Sequence, residues 1–515
     1  MNKSDLLKLQ MCGTENEMRE VACRICKNYL HGAWKIAEPA DLEFRRISGG
    51  LSNFIYYVAL PDDMSKFYRN RLPSTGSETE QSTLTRQMSE NVGDEPKQVL
   101  LRIYGQVHGE RAMDAIVTES VIFTLLSERR LGPKLHGVFS GGRIEEFIHA
   151  RPLLTKELGE PALSMKIAEK AAAIHSMEVP LSKEPYWMWK TMNKWLKTVK
   201  EERLANGAKG KNEQENEIIK RFKTIEFDKE IEWLKKFLAI VDSPVVFCHN
   251  DLQEGNILLI EDEPTMADEY ETTFAQSYPS SDLPEQENNL TSPNKSPNTQ
   301  MSHMSLTSIT KSHNRQSMEM LERTTTSRIP FVTHIPSSNQ YLDHEDANTS
   351  DSIHSHISDS GEPRLVLIDF EYCAYNYRGF DIANHFQEWG YDYTNPEYPF
   401  YHELQENTPT LEQKEIFIKE YLKHYNANLT DEKELVSPSI DAVNKLLNEV
   451  EAFTLASHLF WALWSIINAS KSQIPFGYWE YGMSRMDNFL RLKQEVIKKE
   501  KFGLAHKRKI CEVDI

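Results

Sequence analysis

Cysteine is scarce in this 515-residue chain, which contains six and places them far apart. They are Cys12, Cys23, Cys26, Cys248, Cys373 and Cys511. So few scattered thiols argue against a disulfide scaffold and indicate a reducing compartment. Cys23 and Cys26 form a CxxC pair, but no second pair or histidine cluster completes a zinc site. The helical sequence around them favours an incidental pair.

Positive charge and long apolar runs are also lacking. The chain has 59 Lys and Arg against 77 Asp and Glu, a net charge of −18, which argues against nucleic acid as a partner. An acidic protein can attract a small cationic substrate. Residues 1–16 lack the apolar core of a signal peptide. The most apolar stretch, 455–469, contains His458 and Asn468 and is too short to span a bilayer. We therefore expect a cytoplasmic protein without stable membrane insertion.

Apolar periodicity nearly disappears from about 261 to 363, where Ser, Thr, Asn, Gln and Pro dominate. Such a segment buries too little apolar surface to offset its ordering entropy, so we expect a disordered loop. Tolerated surface length is the favoured explanation, and regulation by phosphorylation the alternative. A second polar insert covers about 70–96. The sequence thus predicts an N-terminal lobe at 1–150, a helical C-terminal lobe at 151–505 and a basic tail at 506–515.

What the chain does contain is the loop His249–Asn256, with the pattern H-x-D-x4-N between two strand-like apolar runs. Phosphoryl transfer needs a carboxylate near the attacking hydroxyl and oxygen ligands for Mg²⁺. Asp251 supplies the carboxylate near the hydroxyl, and Asn256 supplies one oxygen ligand for the metal. Asp369, which follows the apolar run 365–368, supplies a carboxylate as the other metal ligand. We expect the polar insert to join two strands of one hairpin. Its length is tolerated because the entropic cost of closing a loop rises only slowly with the number of residues. The pattern predicts a small-molecule kinase that uses ATP and Mg²⁺.

The N-terminal segment has the features of a nucleotide-binding lobe. Ser48–Asn53 is a glycine-containing loop between two predicted strands, where backbone N–H groups can approach phosphate oxygens. Arg102, on the predicted strand 98–104, would pair with phosphate, and Glu119 is expected to pair with Arg102 across the cleft. Glu146–Ile148 would be the interlobe hinge, whose backbone could contact adenine. Taken alone, the loop is more often a simple turn and Arg102 an exposed strand cation.

Aromatic residues concentrate late in the chain. Trp461 and Trp464 are three residues apart and share one helical face. Such a stripe is usually core, and the alternative is a cage that binds a quaternary ammonium through cation–π attraction, with Glu388 nearby. His175, in a predicted helix, is more simply a structural histidine than a site residue.

Several stretches together resemble the choline/ethanolamine kinase family. They are GGLSNF (49–54), VLLRIYG (99–105), EEFIHARPL (145–153), AAIHSMEVP (172–180), HNDLQEGNILL (249–259), LVLIDFEYCAYNYRGFDIANHFQEW (365–389), ASHLFWALWSI (456–466) and FGYWEYGMSR (476–485). The chain is most similar to choline kinases, and its long insert resembles that of nematode members. Leu252 stands where other members often carry Cys or Val, a change that removes no functional group.

The resemblance implies a protein-kinase-like two-lobed α+β fold, with an antiparallel-sheet N-lobe and a mainly helical C-lobe. It implies a homodimer that phosphorylates choline to phosphocholine, the first step of the CDP-choline route to phosphatidylcholine, with some ethanolamine activity. Asp251 would be the catalytic base, and Asn256 and Asp369 the Mg²⁺ ligands. The implied nucleotide contacts are Ser48, Gly49, Gly50, Leu51, Ser52, Asn53, Phe54, Arg102, Glu146, Phe147, Ile148, Arg151, Gln253 and Asp369. The implied choline-site residues are Gly50, Leu51, Ser52, Tyr372, Glu388, Tyr393, Trp461, Trp464 and Tyr481.

Three alternatives stay open at this point. An ethanolamine kinase would differ only in the head-group pocket. An aminoglycoside-type kinase would share 249–256 but lack the double-tryptophan helix. An inactive scaffold of the same fold would be expected to lose a metal ligand, whereas Asp251, Asn256 and Asp369 are all present.

Overall fold

The computed structural model describes residues 14–47, 53–63, 67, 95–104, 110–205, 209–260, 363–430, 434–469, 472 and 474–511, with backbone alone at 110–116 and 500–511. The predicted loop at Ser48–Ser52, the polar insert up to residue 94, residues 261–362 and the extreme C-terminus at 512–515 therefore lie outside the described residues. All residues that the structure describes belong to one compact unit.

An antiparallel sheet with strand order β1-β2-β3-β5-β4 forms the N-terminal lobe. The strands are β1 Glu43–Ile47, β2 Asn53–Ala59, β3 Gln98–Tyr104, β4 Leu135–Phe139 and β5 Gly142–Glu146. Alternate residues of β3, namely Val99, Leu101 and Ile103, are buried on one face, as the twofold periodicity of a strand requires.

Helix α1 (Glu15–Tyr29) packs its apolar side against this buried face. It begins with a capping box, in which Thr14 and Glu17 satisfy each other's backbone N–H groups. Cys23 and Cys26 lie inside this core, and burial raises the pKa of Cys26 to about 12. The two cysteines of the CxxC pair are therefore core residues, as expected for an incidental pair.

The segment between β5 and β6 (Ala150–Pro152) links the two lobes, because β6 pairs with β8 of the C-terminal lobe. Phe147 makes an edge contact with Tyr57, with ring centroids 4.7 Å apart. Gln98 accepts a hydrogen bond from the Tyr57 hydroxyl at 3.0 Å and contacts His149 at 2.6 Å. The predicted hinge is thus anchored to β2 and β3.

Short strands carry the catalytic segments of the C-terminal lobe. They are β7 Val245–Cys248, β8 Ile257–Ile260, β9 Leu365–Leu367 and β10 Ala374–Tyr377, with β11 Tyr391–Asp392 and β12 His402–Glu403 beyond them. β8 pairs antiparallel with β9, and β7 pairs with β10. The backbone N–H of Ile260 donates to the carbonyl of Arg364 at 3.0 Å. The long insert therefore leaves and re-enters at neighbouring points of one hairpin, as predicted.

Helix α2, Glu110–Glu128, belongs to the N-terminal lobe, where it lies between β3 and β4 in sequence. Helices make up most of the C-terminal lobe. They are α3 Pro161–His175, α4 Tyr186–Thr198, α5 Glu213–Lys223, α6 Phe227–Leu238, α7 Arg378–Glu388, α8 Leu411–Leu429, α9 Ile440–Asn468 and α10 Tyr478–Cys511. A π-helical turn, Val199–Arg203, follows α4. The described parts thus have the predicted α+β composition, with a sheet-based first lobe and a mainly helical second lobe.

The helices α5 and α6 follow each other closely in sequence, with a break at 224–226 between them. Phe222 and Phe227 are both buried but five residues apart, which no single helical face accommodates. The break at 224–226 brings both apolar faces onto the core.

Helix α9 is the one described helix long and apolar enough to cross a membrane by length and composition. However, 89% of its apolar window is buried inside the protein. Its neighbours α7 and α10 pack along it, so its hydrophobicity is that of a central core helix.

Candidate functional site

The predicted catalytic loop follows β7, and the side chain of Asp381 holds its backbone. The N–H groups of His249 and Asn250 donate to the two carboxylate oxygens of Asp381 at 2.9 and 2.7 Å. Asn250 has a φ of 66°, in the left-handed region that asparagine tolerates better than most residues. The local sequence thus allows a tight turn, and a buried acid from α7 fixes it.

Two further contacts tie this loop to the segment that carries Asp369. The Asn250 side chain donates to the backbone carbonyl of Tyr372 at 2.9 Å, and His249 donates from Nε2 to the carbonyl of Ile368 at 3.0 Å. Burial lowers the pKa of His249, which agrees with a neutral ring that donates from one nitrogen. The long insert therefore separates the two segments in sequence but not in space.

Asp251 is buried, and its carboxylate accepts a hydrogen bond from Nδ2 of Asn256 at 3.0 Å. The same amide donates to the Asp251 carbonyl at 2.9 Å, which leaves the Asn256 side-chain oxygen as its ligand atom. Burial, followed by the negative charges of Glu388 and Asp369, raises the pKa of Asp251 well above its ordinary value. A raised pKa suits a group that must accept a proton from a hydroxyl.

Asp369 follows β9 with a φ of 64°, so it also takes the left-handed conformation. The N–H of Ile368 donates to the carbonyl of Asn256 at 3.0 Å, which aligns Asp369 with the catalytic loop. Burial and the nearby charge of Asp369 raise the pKa of Glu371, an acid that the sequence reasoning missed although it lies only two residues further on. Asp251, Asn256, Asp369 and Glu371 form a set of hard oxygen donors with excess negative charge. This chemistry fits Mg²⁺.

On the N-lobe side, two arginines share Glu145. Arg102 donates from Nε to Glu145 at 2.8 Å, and Arg143 donates to the same oxygen at 2.6 Å. The predicted pair between Glu119 and Arg102 is wrong, because Glu119 accepts from Arg143 at 2.7 Å. Arg143 lies directly across the strand pair from Arg102, so it competes for the same helix carboxylate. Arg102 remains on the cleft side of this network.

The other predicted nucleotide contacts differ in what the structure shows. Gln253 is buried, its Oε1 accepts from the Gly255 N–H at 3.3 Å, and its Nε2 has no partner among the described residues. Arg151 forms a two-bond pair with Glu157, each bond 2.8 Å long. The Glu146 carboxylate accepts from the Lys134 N–H at 2.9 Å.

Two more of these positions lie at the start of β2, beyond the loop whose residues are not described. They are Asn53 and Phe54, and the Phe54 ring lies 5.1 Å from the guanidinium carbon of Arg46. Phe147 and Ile148 lie in the segment that links the lobes, between β5 and β6.

One aromatic wall lies beside the catalytic loop. The ring centroid of Trp461 is 5.4 Å from that of Trp464 and 5.8 Å from that of Tyr372. Trp464 donates to the Tyr372 hydroxyl at 3.2 Å, and Trp461 donates to Asn384 at 2.6 Å. Both indoles are buried, so the stripe belongs to the core. Because the Tyr372 carbonyl binds Asn250, the same stripe borders the catalytic loop.

A second wall brings together Glu388, Tyr393, Tyr481 and Arg485. Tyr393 donates to Glu388 at 2.7 Å and lies 3.2 Å from the Tyr481 hydroxyl. The guanidinium of Arg485 also binds Glu388. Phe476 and Tyr478 join this wall to Trp464 through ring contacts of 5.0–5.8 Å. Arg485 was missed from the sequence, although it lies one helical turn after Tyr481.

A buried cluster behind the catalytic loop completes the site. His175 lies 2.9 Å from Asp381 and 2.8 Å from the Tyr421 hydroxyl. This is the structural role expected for His175. The ligand atoms of three residues in this cluster, His175, Cys248 and Asp381, lie close enough together to hold a metal ion. Every one of the three nevertheless has hydrogen-bond partners within the protein, and Asp381 has three of them.

His385 supports the same loop from another side. Its Nδ1 donates to the Leu252 carbonyl at 2.8 Å, while Nε2 accepts from Trp389 at 3.2 Å. Burial lowers the pKa of His385 to about 4, so the ring stays neutral. Sequence reasoning missed Asp381 and His385, because α7 also carries Arg378, Asn384, Gln387 and Glu388 and nothing in the sequence sets these two residues apart.

Comparisons with known proteins agree with this geometry. The family model that matches residues 44–490 is described as choline/ethanolamine kinase. The chain is 35% identical to a choline/ethanolamine kinase of Homo sapiens, over 92% of this chain and 85% of that protein. It is 33% identical to choline kinase A2 of Caenorhabditis elegans, over 93% of this chain and 86% of that protein. The crystal structure of a choline kinase from Cryptosporidium parvum has the same fold, with a TM-score of 0.54 and 21% identity, over 93% of this chain and 97% of that one.

Proposed function

This chain belongs to the choline/ethanolamine kinase family, and from that premise we propose that it transfers the γ-phosphoryl group of ATP to the hydroxyl of choline. The product is phosphocholine, and ethanolamine is a slower substrate. One observation carries the proposal: the catalytic loop with Asp251 is joined directly to the aromatic walls that form the proposed choline pocket. The Asn250 side chain donates to the Tyr372 carbonyl at 2.9 Å, and the Trp464 indole donates to the Tyr372 hydroxyl at 3.2 Å. A cation held by the pocket would thus have its hydroxyl end near Asp251.

The aromatic walls suit a trimethylammonium group. Cation–π attraction contributes about 0.5–2 kcal/mol per contact, and a quaternary ammonium needs no hydrogen-bond acceptors. Trp461, Trp464 and Tyr372 provide such faces, and Tyr393 and Tyr481 provide two more in the second wall.

In the proposed mechanism the hydroxyl oxygen of choline attacks the γ-phosphorus in line, the bond between that phosphorus and the bridging oxygen of ATP breaks, and ADP leaves. Asp251 orients the hydroxyl and takes its proton. Asn256 and Asp369 would hold Mg²⁺, which would offset the charge of the phosphates. Arg102, the Ser48–Asn53 loop and Gln253 contact the nucleotide. The backbone of the interlobe segment binds adenine. Each of these roles extends the family relationship to residues of this chain.

We also propose that the protein acts in the cytoplasm as a homodimer. The four cysteines that the structure describes are all free and buried, which agrees with a reducing compartment. Sedimentation of the purified protein would test the dimer, and a mass of one chain would contradict it.

The direct test measures ATP consumption with choline and with ethanolamine, with and without Mg²⁺. We expect Mg²⁺-dependent turnover that is faster with choline. A higher kcat/KM for ethanolamine would support the alternative of an ethanolamine kinase. Absence of turnover with both, in a folded sample that binds ATP, would support the inactive scaffold.

Trp464→Ala is expected to raise the KM for choline about tenfold, because it removes one cation–π face, and to change the KM for ATP much less. The measurement is a pair of saturation curves, one for each substrate. Trp233→Ala is the matched control: it also removes an indole, but from a stack with Phe237 on α6. Equal changes in the KM for choline and the KM for ATP would show that Trp464 contributes only to core packing.

A further inference from the structure

The carboxylate of the aromatic pocket is already paired within the protein. Arg485 is fully buried, and its Nη2 donates to Glu388. Arg485 also donates to the Tyr481 hydroxyl from Nε at 3.0 Å and from Nη2 at 2.7 Å. Its guanidinium carbon lies 4.0 Å from the ring centroid of Tyr391. The remaining nitrogen, Nη1, has no hydrogen-bond partner among the described residues. Within the same residues, Glu388 is the one carboxylate that pairs with Arg485.

Arg485 and Tyr393 together engage both oxygens of Glu388. Oε1 accepts from Arg485 and Oε2 accepts from Tyr393 at 2.7 Å. The charge of Glu388 is offset by the fixed positive charge of Arg485, which proteins do not deprotonate. A bound cation would therefore meet a neutralised pair, in which each carboxylate oxygen already accepts one hydrogen bond.

We propose that Arg485 is a positioning residue that favours a quaternary over a primary ammonium by engaging the Glu388 carboxylate. The inference rests on the proposed function, and it concerns which amino alcohol the pocket prefers.

The physical reason is the difference between the two head groups. A primary ammonium is compact and strongly hydrated, and its three N–H donors need acceptors once water is removed. A trimethylammonium group donates no such bonds and gains mainly from aromatic faces. Occupied acceptors on Glu388 penalise the first group and leave the second nearly unaffected.

The test replaces Arg485 by methionine, which keeps a long side chain without donors or charge. The measured quantity is the ratio of kcat/KM for choline to that for ethanolamine, taken on one preparation. This ratio does not depend on the fraction of folded enzyme, so partial instability does not affect it. We expect Arg485→Met to lower the ratio about tenfold, the effect of one freed hydrogen bond to a charged group.

Arg491→Met is the matched control. It makes the same substitution on the same helix, but at an exposed ion pair with Glu495 of 3.0 Å. Its ratio is expected to equal that of the unmodified protein. Adding Glu388→Gln to Arg485→Met should move the ratio back toward choline, because the freed carboxylate is gone.

If Arg485→Met does not fold, Tyr393→Phe provides the second variant, since it frees the other Glu388 oxygen and removes only a hydroxyl group. A lower ratio in Arg485→Met supports the role of Arg485, and a lower ratio in Tyr393→Phe supports its physical basis, that hydrogen bonds to Glu388 from within the protein disfavour the primary ammonium. An unchanged or raised ratio in every variant that folds overturns it. If the unmodified protein phosphorylates neither amino alcohol, the proposed function fails, an outcome distinct from an active enzyme with an unchanged ratio.

Discussion

Replacement of Asp251 by asparagine is expected to lower kcat with choline by about a hundredfold to ten-thousandfold, the range typical of removing a general base. Asparagine has nearly the same shape but cannot accept the proton of the attacking hydroxyl. The variant should still bind ATP, because the proposed nucleotide contacts lie on Arg102, Gln253 and the interlobe segment. Steady-state turnover and titration with ATP and Mg²⁺ measure the two properties separately.

Asp487→Asn provides the matched control for this experiment. It makes the same change at an exposed ion pair with Arg221 of 2.7 Å, and it should leave kcat unchanged. Near-full activity of Asp251→Asn would show that Asp251 is not the base. Loss of ATP binding together with turnover would instead identify Asp251 as a residue that shapes the nucleotide site.

The sequence predicted the catalytic segments well because their information is local. A histidine, a carboxylate and an amide at fixed spacing between two apolar strands specify one loop, and the structure has it between β7 and β8. The insert could be set aside because its composition cannot support a core, and Ile260 and Arg364 do meet at its ends. The family resemblance supplied the two-lobed fold, which strand and helix order alone would leave open.

The features that the sequence did not predict are ion pairs and hydrogen bonds between residues far apart in the chain, each of which has more than one possible partner. Glu119 had two candidate arginines, and only the register of β3 against β5 makes Arg143 the closer one. Glu388 looked available to a ligand because nothing in the sequence places Arg485 opposite it, 97 residues away. Asp381 is one of several polar residues in α7, and only the packing of this helix shows that its carboxylate holds the catalytic loop. Pairings of this kind are set by tertiary packing, which local spacing does not encode.

Asp381→Ala is expected to lower the free energy of unfolding by about 3–5 kcal/mol, the usual cost of removing one partner of a buried pair. The change leaves His175 and the N–H groups of His249 and Asn250 without their shared acceptor. Because two of these donors belong to the catalytic loop, turnover should fall even in the fraction that folds. Chemical denaturation near pH 7 measures the stability change.

The pH dependence of this difference tests its cause. Burial opposes ionisation of Asp381, but the hydrogen bonds from the His175 ring and from the backbone N–H of His249 outweigh it and hold the pKa of Asp381 below its ordinary value. A lowered pKa in the folded state contributes stability that is complete above the unfolded pKa of about 3.9. That contribution is lost as the pH falls through the folded pKa. The gap between the unmodified protein and Asp381→Ala should therefore stay constant from about pH 6 to 8 and narrow below about pH 4.

Asp228→Ala is the control for composition, since Asp228 makes an exposed ion pair with Lys200 of 2.9 Å and should change stability by less than about 1 kcal/mol. Asp381→Asn keeps the shape and one acceptor, so its loss should lie between the two. If Asp381→Ala is as mild as Asp228→Ala, the loop does not depend on this carboxylate. The left-handed turn at Asn250 would then be maintained by its side-chain bonds to Tyr372 and Asn376 alone.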